Sequence, residues 1–252
     1  MAQLQRHHLV LDLQTKTGLL TWEALRQTPE GGVYACVANT RAAKALSEQA
    51  QKLPELSRPI ILNADLANLS QVIKDPELKF DRLIGRNILH SDPDKVATIT
   101  NLLSWLSDGG AIALAETIRK HTQRLYKLLQ PNWIDSQLWH KVKTAEEAIY
   151  KNPEDPLVNW DGSSLEQDLA TLGLRIQIEE QQHSSSILIN SQAIQRWFSP
   201  TQADQRPTYR LHLEKFLSPA EVKTLKDVFN KYLCNQTVIW TSVVAYILIA
   251  ES

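Results

Sequence analysis

Apolar and polar positions follow a regular order along the first part of the chain, with short apolar runs separated by longer amphipathic stretches. A short run that is apolar throughout predicts a strand covered on both faces. A stretch with apolar residues three and four positions apart predicts a helix. Strands are therefore predicted to end at Asp12 and to cover 33–37, 60–62, 80–85 and 111–115, with helices at 19–27, 41–52 (capped by Thr40) and 93–106.

The alternation of strands and helices predicts a parallel sheet joined by right-handed crossovers. The alternation of strands and helices stops at residue 116. Helical insertions are predicted at about 116–172 and 191–233, and strands resume at 174–180 and 243–249. Because no repeat, low-complexity tract or separate linker interrupts the chain, the pattern indicates a single α/β domain over residues 1–252.

Composition narrows the class of protein. The 252 residues are 43% hydrophobic and 22% charged with a net charge of −1, which is typical of a globular protein and not of a strongly basic nucleic-acid binder. The longest apolar run, 243–250, is too short to span a bilayer, so no membrane association is expected. Cys36 and Cys234 lie in or beside apolar segments and are interpreted as free thiols of a cytoplasmic protein. The first strand starts so close to Met1 that the chain is interpreted as a domain cut from a longer protein.

The candidate chemistry begins at the end of the first strand. Asp12 ends an apolar run, a polar turn follows, and Gly18 precedes a helix. A strand, a tight turn and a helix N-terminus are the start of a nucleotide-binding α/β unit. The segment 12–18 resembles the first motif of class I S-adenosylmethionine (SAM) dependent methyltransferases, acid-x-Gly-x-Gly-x-Gly, with Gln14 and Lys16 in place of two glycines.

Three further stretches support this resemblance in the expected order. Asn63-Ala64-Asp65 follows strand three, 80–90 resembles the family's fourth motif, and 106–111 resembles its turn before strand five, with Asp108 in place of proline. The resemblance implies a seven-stranded, mostly parallel Rossmann-like sheet with helices on both faces and an antiparallel last strand. It also implies SAM as the cofactor.

The same resemblance implies a set of cofactor-binding residues. Asp12 and Gly18 would lie beside the donor, Asp65 would accept from the adenine amino group, and Asn87 would contact the methionine end. Asn39 is the nearest polar residue to the position where the family has a ribose-binding acid. For Asp12 the alternative is a strand-ending and helix-capping role, and for Asp65 a solvated loop acid. No catalytic residue or metal ligand is assigned.

Two functions compete on these residues. The missing ribose acid and the two missing glycines favour a non-catalytic or cofactor-impaired methyltransferase-like accessory domain. The alternative is an active SAM-dependent methyltransferase of unknown substrate, and a nucleotide or dinucleotide binder is a third hypothesis. Segments 145–150 and 155–160 are similar to a methyltransferase-like domain fused behind a replication-associated recombination AAA+ ATPase. That resemblance implies an ATPase domain in the same polypeptide, and DNA or replication proteins as partners.

A basic stretch in the first insertion is a candidate nucleic-acid contact. Lys120, Arg124 and Lys127 are spaced to fall on one face of a predicted helix, where they would meet phosphates. The alternative is a solvated helix face.

Overall fold

The computed structural model describes residues 2–201 and 206–251. The strands are β1 (Leu9–Asp12), β2 (Gly32–Cys36), β3 (Ile60–Leu62), β4 (Phe80–Arg86), β5 (Leu106–Thr117), β6 (Leu174–Ile189) and β7 (Gln236–Glu251). The α-helices are α1 (Leu19–Gln27), α2 (Thr40–Ala50), α3 (Leu69–Val72), α4 (Lys95–Leu103), α5 (Ser136–Tyr150), α6 (Gly162–Leu169), α7 (Ser191–Trp197), α8 (Tyr209–Leu213) and α9 (Pro219–Tyr232).

The strands form one seven-stranded sheet in the order β3-β2-β1-β4-β5-β7-β6. Strands β1 to β5 pair in parallel, and β7 runs antiparallel to β5. The chain moves outward from β1 to β3 and then returns to β4 on the other side of β1. With right-handed crossovers, this reversal puts the helices before and after it on opposite faces of the sheet. The predicted α/β fold with an antiparallel last strand is confirmed.

Several predicted boundaries were wrong, each for a local reason. Asn39, not Thr40, caps α2, because its side chain accepts from the Ala42 N–H at 3.0 Å. Helix α4 ends at Leu103, and Leu106 already pairs with Phe80 of β4. The glycines predicted as a turn before strand five instead form an irregularity within β5. Strands β6 and β7 are each 16 residues long, well beyond the predicted 174–180 and 243–249.

The described chain groups into two compact units. Unit 1 comprises 1–117, 162–181 and 244–252, and unit 2 comprises 118–161 and 182–243. The prediction of a single domain stays a prediction. The core of unit 1 contains the apolar faces of β1, β4 and β5, with Leu11, Leu83, Ile112 and Leu114 fully buried.

Unit 2 has a core of its own, built from the helical insertions. Phe198 and Phe229 lie edge to face with ring centroids 5.4 Å apart, and Val142, Leu213 and Leu225 are fully buried in the same cluster. Among the described residues, none of the helices has the length and apolar character needed to cross a bilayer.

Candidate functional site

The candidate site lies where the chain reverses direction across the sheet. Strands β1 and β4 are parallel neighbours with Asp12 opposite Ile84, although they are not consecutive in sequence. Open α/β sheets bind ligands at the carboxyl ends of strands at such a point. A cavity of about 310 Å³ is found there, lined by residues 12, 14–20, 86 and 87. We call it the donor cavity.

Asp12 is the most buried charged residue of this cavity. It is 1% exposed, and its Oδ2 accepts from the Thr21 hydroxyl at 2.7 Å. Thr15 lies 3.2 Å from the same hydroxyl. Burial raises the pKa of Asp12, although hydrogen bonds from Thr21 and Thr15 act against this. Asp12 therefore ends β1 and holds the first turn of α1 through Thr21, and it also lines the cavity.

Two buried acceptor oxygens, on residues that line the donor cavity, lack hydrogen-bond partners among the described residues. They are Oδ1 of Asp12 and Oε1 of Gln14. Buried polar atoms are almost always paired, and an unpaired one points to a missing ligand or water. Acceptors match a donor, and a carboxylate favours a cationic donor. These two oxygens therefore fit the ammonium group of an amino acid.

Gly18 shapes the turn above these oxygens. It precedes α1 with φ of 79°, in the left-handed region, and its carbonyl accepts from the Trp22 N–H at 2.8 Å. A Cβ at this position would lie 2.8 Å from Leu46 and from the Trp22 ring. The glycine is required both for the backbone conformation and for the close packing of helices α1 and α2.

The loop after β4 forms the opposite wall. Asn87 has φ of 56°, and its Oδ1 accepts from the Thr117 N–H at 2.9 Å. Glu116 is fully buried and accepts from the N–H groups of Ile88 at 2.7 Å and Leu89 at 3.1 Å. Burial raises the pKa of Glu116 to about 7, against the opposing effect of these hydrogen bonds. Glu116 thus positions the loop that carries Asn87.

Exposure divides the residues that line the donor cavity. Asp12, Thr15 and Gly18 are buried, whereas Lys16, Thr17, Leu19, Leu20 and Arg86 are exposed. We call these five exposed residues the mouth. Neither Lys16 nor Arg86 has an ion-pair partner within 2–201 and 206–251. The mouth therefore carries two uncompensated positive charges.

Only some of the predicted cofactor-binding residues lie together in the structure. Asp12, Gly18 and Asn87 line the donor cavity, but Asn39 and Asp65 do not. Asn39 caps α2, and Asp65 caps the short 3₁₀ turn Leu66–Asn68 by accepting from the N–H and side-chain amide of Asn68 at 3.1 and 2.7 Å. The roles of these residues toward ribose and adenine stay predictions.

The predicted basic helix face in unit 2 was wrong. Residues 119–121 and 125–128 form two 3₁₀ turns and not one α-helix. Lys120 pairs with Asp161 at 2.5 Å, and Arg124 is 9% exposed, with its guanidinium 3.6 Å from the Tyr150 ring centroid and 3.4 Å from Glu147. Lys127 is exposed. Since Arg124 is buried and paired inside unit 2, the three residues do not form a continuous exposed basic stripe, and their contact with nucleic acid stays a prediction.

Glu116 and Arg86 were not predicted from the sequence as site residues. Glu116 was placed at the start of the insertion, although it follows an apolar strand just as Asp12 does. An acid at the end of an apolar parallel strand is a signal that Glu116 shares with Asp12, and it could have identified Glu116 from the sequence. Arg86 is an exposed residue with no sequence pattern to single it out, and the pairing of β1 with β4 brings it to the cavity that Lys16 also lines.

The chain resembles other proteins in its fold and not in its sequence. No family model matches the sequence, and no curated protein matches it. YcgJ from Bacillus subtilis superposes with a TM-score of 0.55 at 12% identity, over 100% of this chain and 95% of its own. A candidate methyltransferase from Bacillus halodurans gives 0.53 at 11% identity, over 98% and 94%.

A SAM-dependent methyltransferase from Geobacter sulfurreducens, solved in complex with S-adenosyl-L-homocysteine, superposes with a TM-score of 0.50 at 12% identity, over 98% of this chain and 86% of its own. Similarity at this level of identity establishes the fold. The chain has the fold of class I SAM-dependent methyltransferases.

Proposed function

We propose that the chain binds SAM at the carboxyl ends of β1 and β4 and is a SAM-dependent methyltransferase. The observation that carries the proposal is the pair of unpaired buried oxygens on Asp12 and Gln14, two residues that line a cavity at the switch point of this fold. SAM supplies an electrophilic methyl group on a sulfonium sulfur. A SAM-dependent methyltransferase of the same fold has been solved with the demethylated product bound.

The charges of the donor cavity support this proposal. Asp12 and Gln14 would receive the ammonium of the methionine moiety, and an ammonium beside Asp12 would offset the effect of burial on its pKa. Lys16 or Arg86 would pair with the methionine carboxylate. Gln14 and Lys16 replace glycines of the family motif, yet about 310 Å³ of open space remains beside them. This open space favours a working cofactor site over a cofactor-impaired one.

The accessory role beside an AAA+ ATPase in the same polypeptide, with DNA or replication proteins as partners, stays a prediction.

Calorimetric titration with SAM and with S-adenosylhomocysteine tests the proposal. We expect micromolar binding that weakens about tenfold or more in Asp12→Asn, because a hydrogen bond to a charged group contributes about 1.5–3 kcal/mol. Asparagine keeps the acceptor for Thr21, so folding should persist, and thermal unfolding of the variant checks this. Asp108→Asn is the matched control, because Asp108 is an exposed acid of β5 outside the cavity. Absence of heat up to millimolar ligand would overturn the proposal.

A further inference from the structure

A second cavity adjoins the mouth of the donor cavity. It has a volume of about 250 Å³ and shares Leu20 and Arg86 with the donor cavity. Its other walls are largely apolar, formed by the N-terminal segment, α1, β4 and β5: Ala2, Leu4, Ala24, Ile84, Ala113 and Ala115. We call it the side cavity. Its apolar walls fit a hydrocarbon group rather than a polar one.

The mouth combines exposed apolar surface with positive charge. Leu19 is 73% exposed and Leu20 is 39% exposed, both in the first turn of α1. Single exposed leucines are common, but here two adjacent ones border two cavities. Glu23 also lines the side cavity, and its carboxylate is compensated by Arg26 at 2.7 Å. Lys16 and Arg86 are therefore the uncompensated charges at this junction.

The net charge of the donor cavity indicates the charge of the second ligand, the methyl acceptor. Two cations and one carboxylate line the donor cavity. SAM adds two positive charges and one negative charge, so the loaded site would carry a surplus of positive charge. The sulfonium and ammonium groups of SAM would be partly buried in the cavity, where a positive charge without compensation is unfavourable. An anionic methyl acceptor would reduce the surplus.

The residues of the donor cavity also limit the chemistry of the acceptor. Asp12 is the only acid among the described lining residues, no histidine lines the cavity, and Asp12 is deeply buried and bound to Thr21. An acceptor that is already ionised needs no base. When a carboxylate oxygen takes the methyl group, one O–C bond forms, the C–S bond breaks with its electron pair passing to sulfur, and no proton moves.

We infer that the methyl acceptor is a small amphipathic carboxylate, with its anionic group beside Arg86, which borders both cavities, and its apolar body in the side cavity. This inference rests on the proposed function. Leu20 and Arg86 are then specificity residues, because each borders both cavities.

Binding of simple probes tests the inference without relying on turnover. Octanoate, octanol and octylamine are titrated into the full chain, with and without saturating S-adenosylhomocysteine, and butyrate reports the contribution of the apolar body. We expect octanoate to bind about tenfold more tightly than octanol or octylamine, and butyrate to bind more weakly, by about fourfold for each buried methylene that it lacks.

Variants locate the binding site. Arg86→Met should weaken octanoate binding about tenfold and leave octanol unchanged, whereas Leu20→Asn should weaken both. Lys44→Met is the matched control, because Lys44 is an exposed cation of α2 outside both cavities. Equal binding of octanoate and octylamine, or an unchanged octanoate affinity in Arg86→Met, would overturn the inference. If S-adenosylhomocysteine binds and octanoate shows no preference, only the inference fails. If S-adenosylhomocysteine does not bind, the proposed function fails, and the methyl-acceptor role inferred for the side cavity fails with it.

Discussion

Gly18 is the residue at which backbone conformation and packing impose the same requirement. Its φ is 79°, and an added Cβ would lie 2.8 Å from side chains of α1 and α2. Gly109 is a natural control, because its φ is 73° and an added Cβ would meet nothing within 4 Å. The two positions therefore separate backbone strain from crowding.

We expect Gly109→Ala to lower the free energy of unfolding by about 1–2 kcal/mol, the cost of a left-handed residue with a Cβ. Gly18→Ala should lower the free energy of unfolding by the same amount and by about 1–3 kcal/mol more, because the added methyl group overpacks the site. Urea unfolding of the two variants measures the difference. Equal losses would show that Leu46 and Trp22 move aside without cost.

At the scale of elements, a buried carboxylate joins three segments of unit 2. Glu146 of α5 is 1% exposed and accepts from the N–H groups of Leu125 at 2.5 Å and Tyr126 at 2.9 Å, and from the Tyr209 hydroxyl of α8 at 2.8 Å. Burial raises the pKa of Glu146, and these donors lower it. The carboxylate stabilises the loop before α5 and the packing of α8.

Glu146→Ala should therefore lower the free energy of unfolding by about 3 kcal/mol or more, since it leaves three buried donors unpaired at about 1–3 kcal/mol each. Tyr209→Phe removes one donor and keeps the other two satisfied, and a loss of about 1 kcal/mol is expected. Thermal unfolding, monitored by circular dichroism, shows which variant loses more free energy of unfolding. A Tyr209→Phe loss as large as that of Glu146→Ala would contradict this account.

At the scale of the whole molecule, buried acids determine how stability depends on pH. The pKa of Glu116 is about 7 in the folded protein against an ordinary value of 4.5. Between these values the folded protein keeps a proton that the unfolded chain has released. Stability from this group is therefore present at low pH and is lost as the pH rises toward 7.

Comparison with Glu116→Gln isolates this effect. His8 and His212 have lowered pKa values and act in the opposite direction, but they are the same in both proteins. We expect the free energy of unfolding of the wild type, relative to the variant, to fall by an amount on the order of 3 kcal/mol between pH 4.5 and pH 7. Urea unfolding at a series of pH values measures it. A constant difference would mean that Glu116 is ionised throughout.

The sequence alone determined the alternation of elements, because apolar runs and helical spacing are local properties of the chain. It also located Asp12, Gly18 and Asn87, since each stands at the end of a strand or the start of a helix. Cap positions shifted by a residue where two polar residues compete, as Asn39 and Thr40 do. The length of β6 was missed because residues 179–186 are polar and lack an alternating pattern, and β7 begins at Gln236, seven residues before the predicted start.

Only the tertiary structure decided which of these residues share a site. Because β1 and β4 are neighbours in the sheet, Arg86 and Lys16 line the same cavity, whereas Asn39 and Asp65 cap other elements. Folding also turned Arg124 inward, where Glu147 and Tyr150 compensate its charge. Burial and pairing depend on residues far apart in sequence, and for that reason the charge at the mouth, the side cavity and the raised pKa of Glu116 follow from the fold and not from any local pattern.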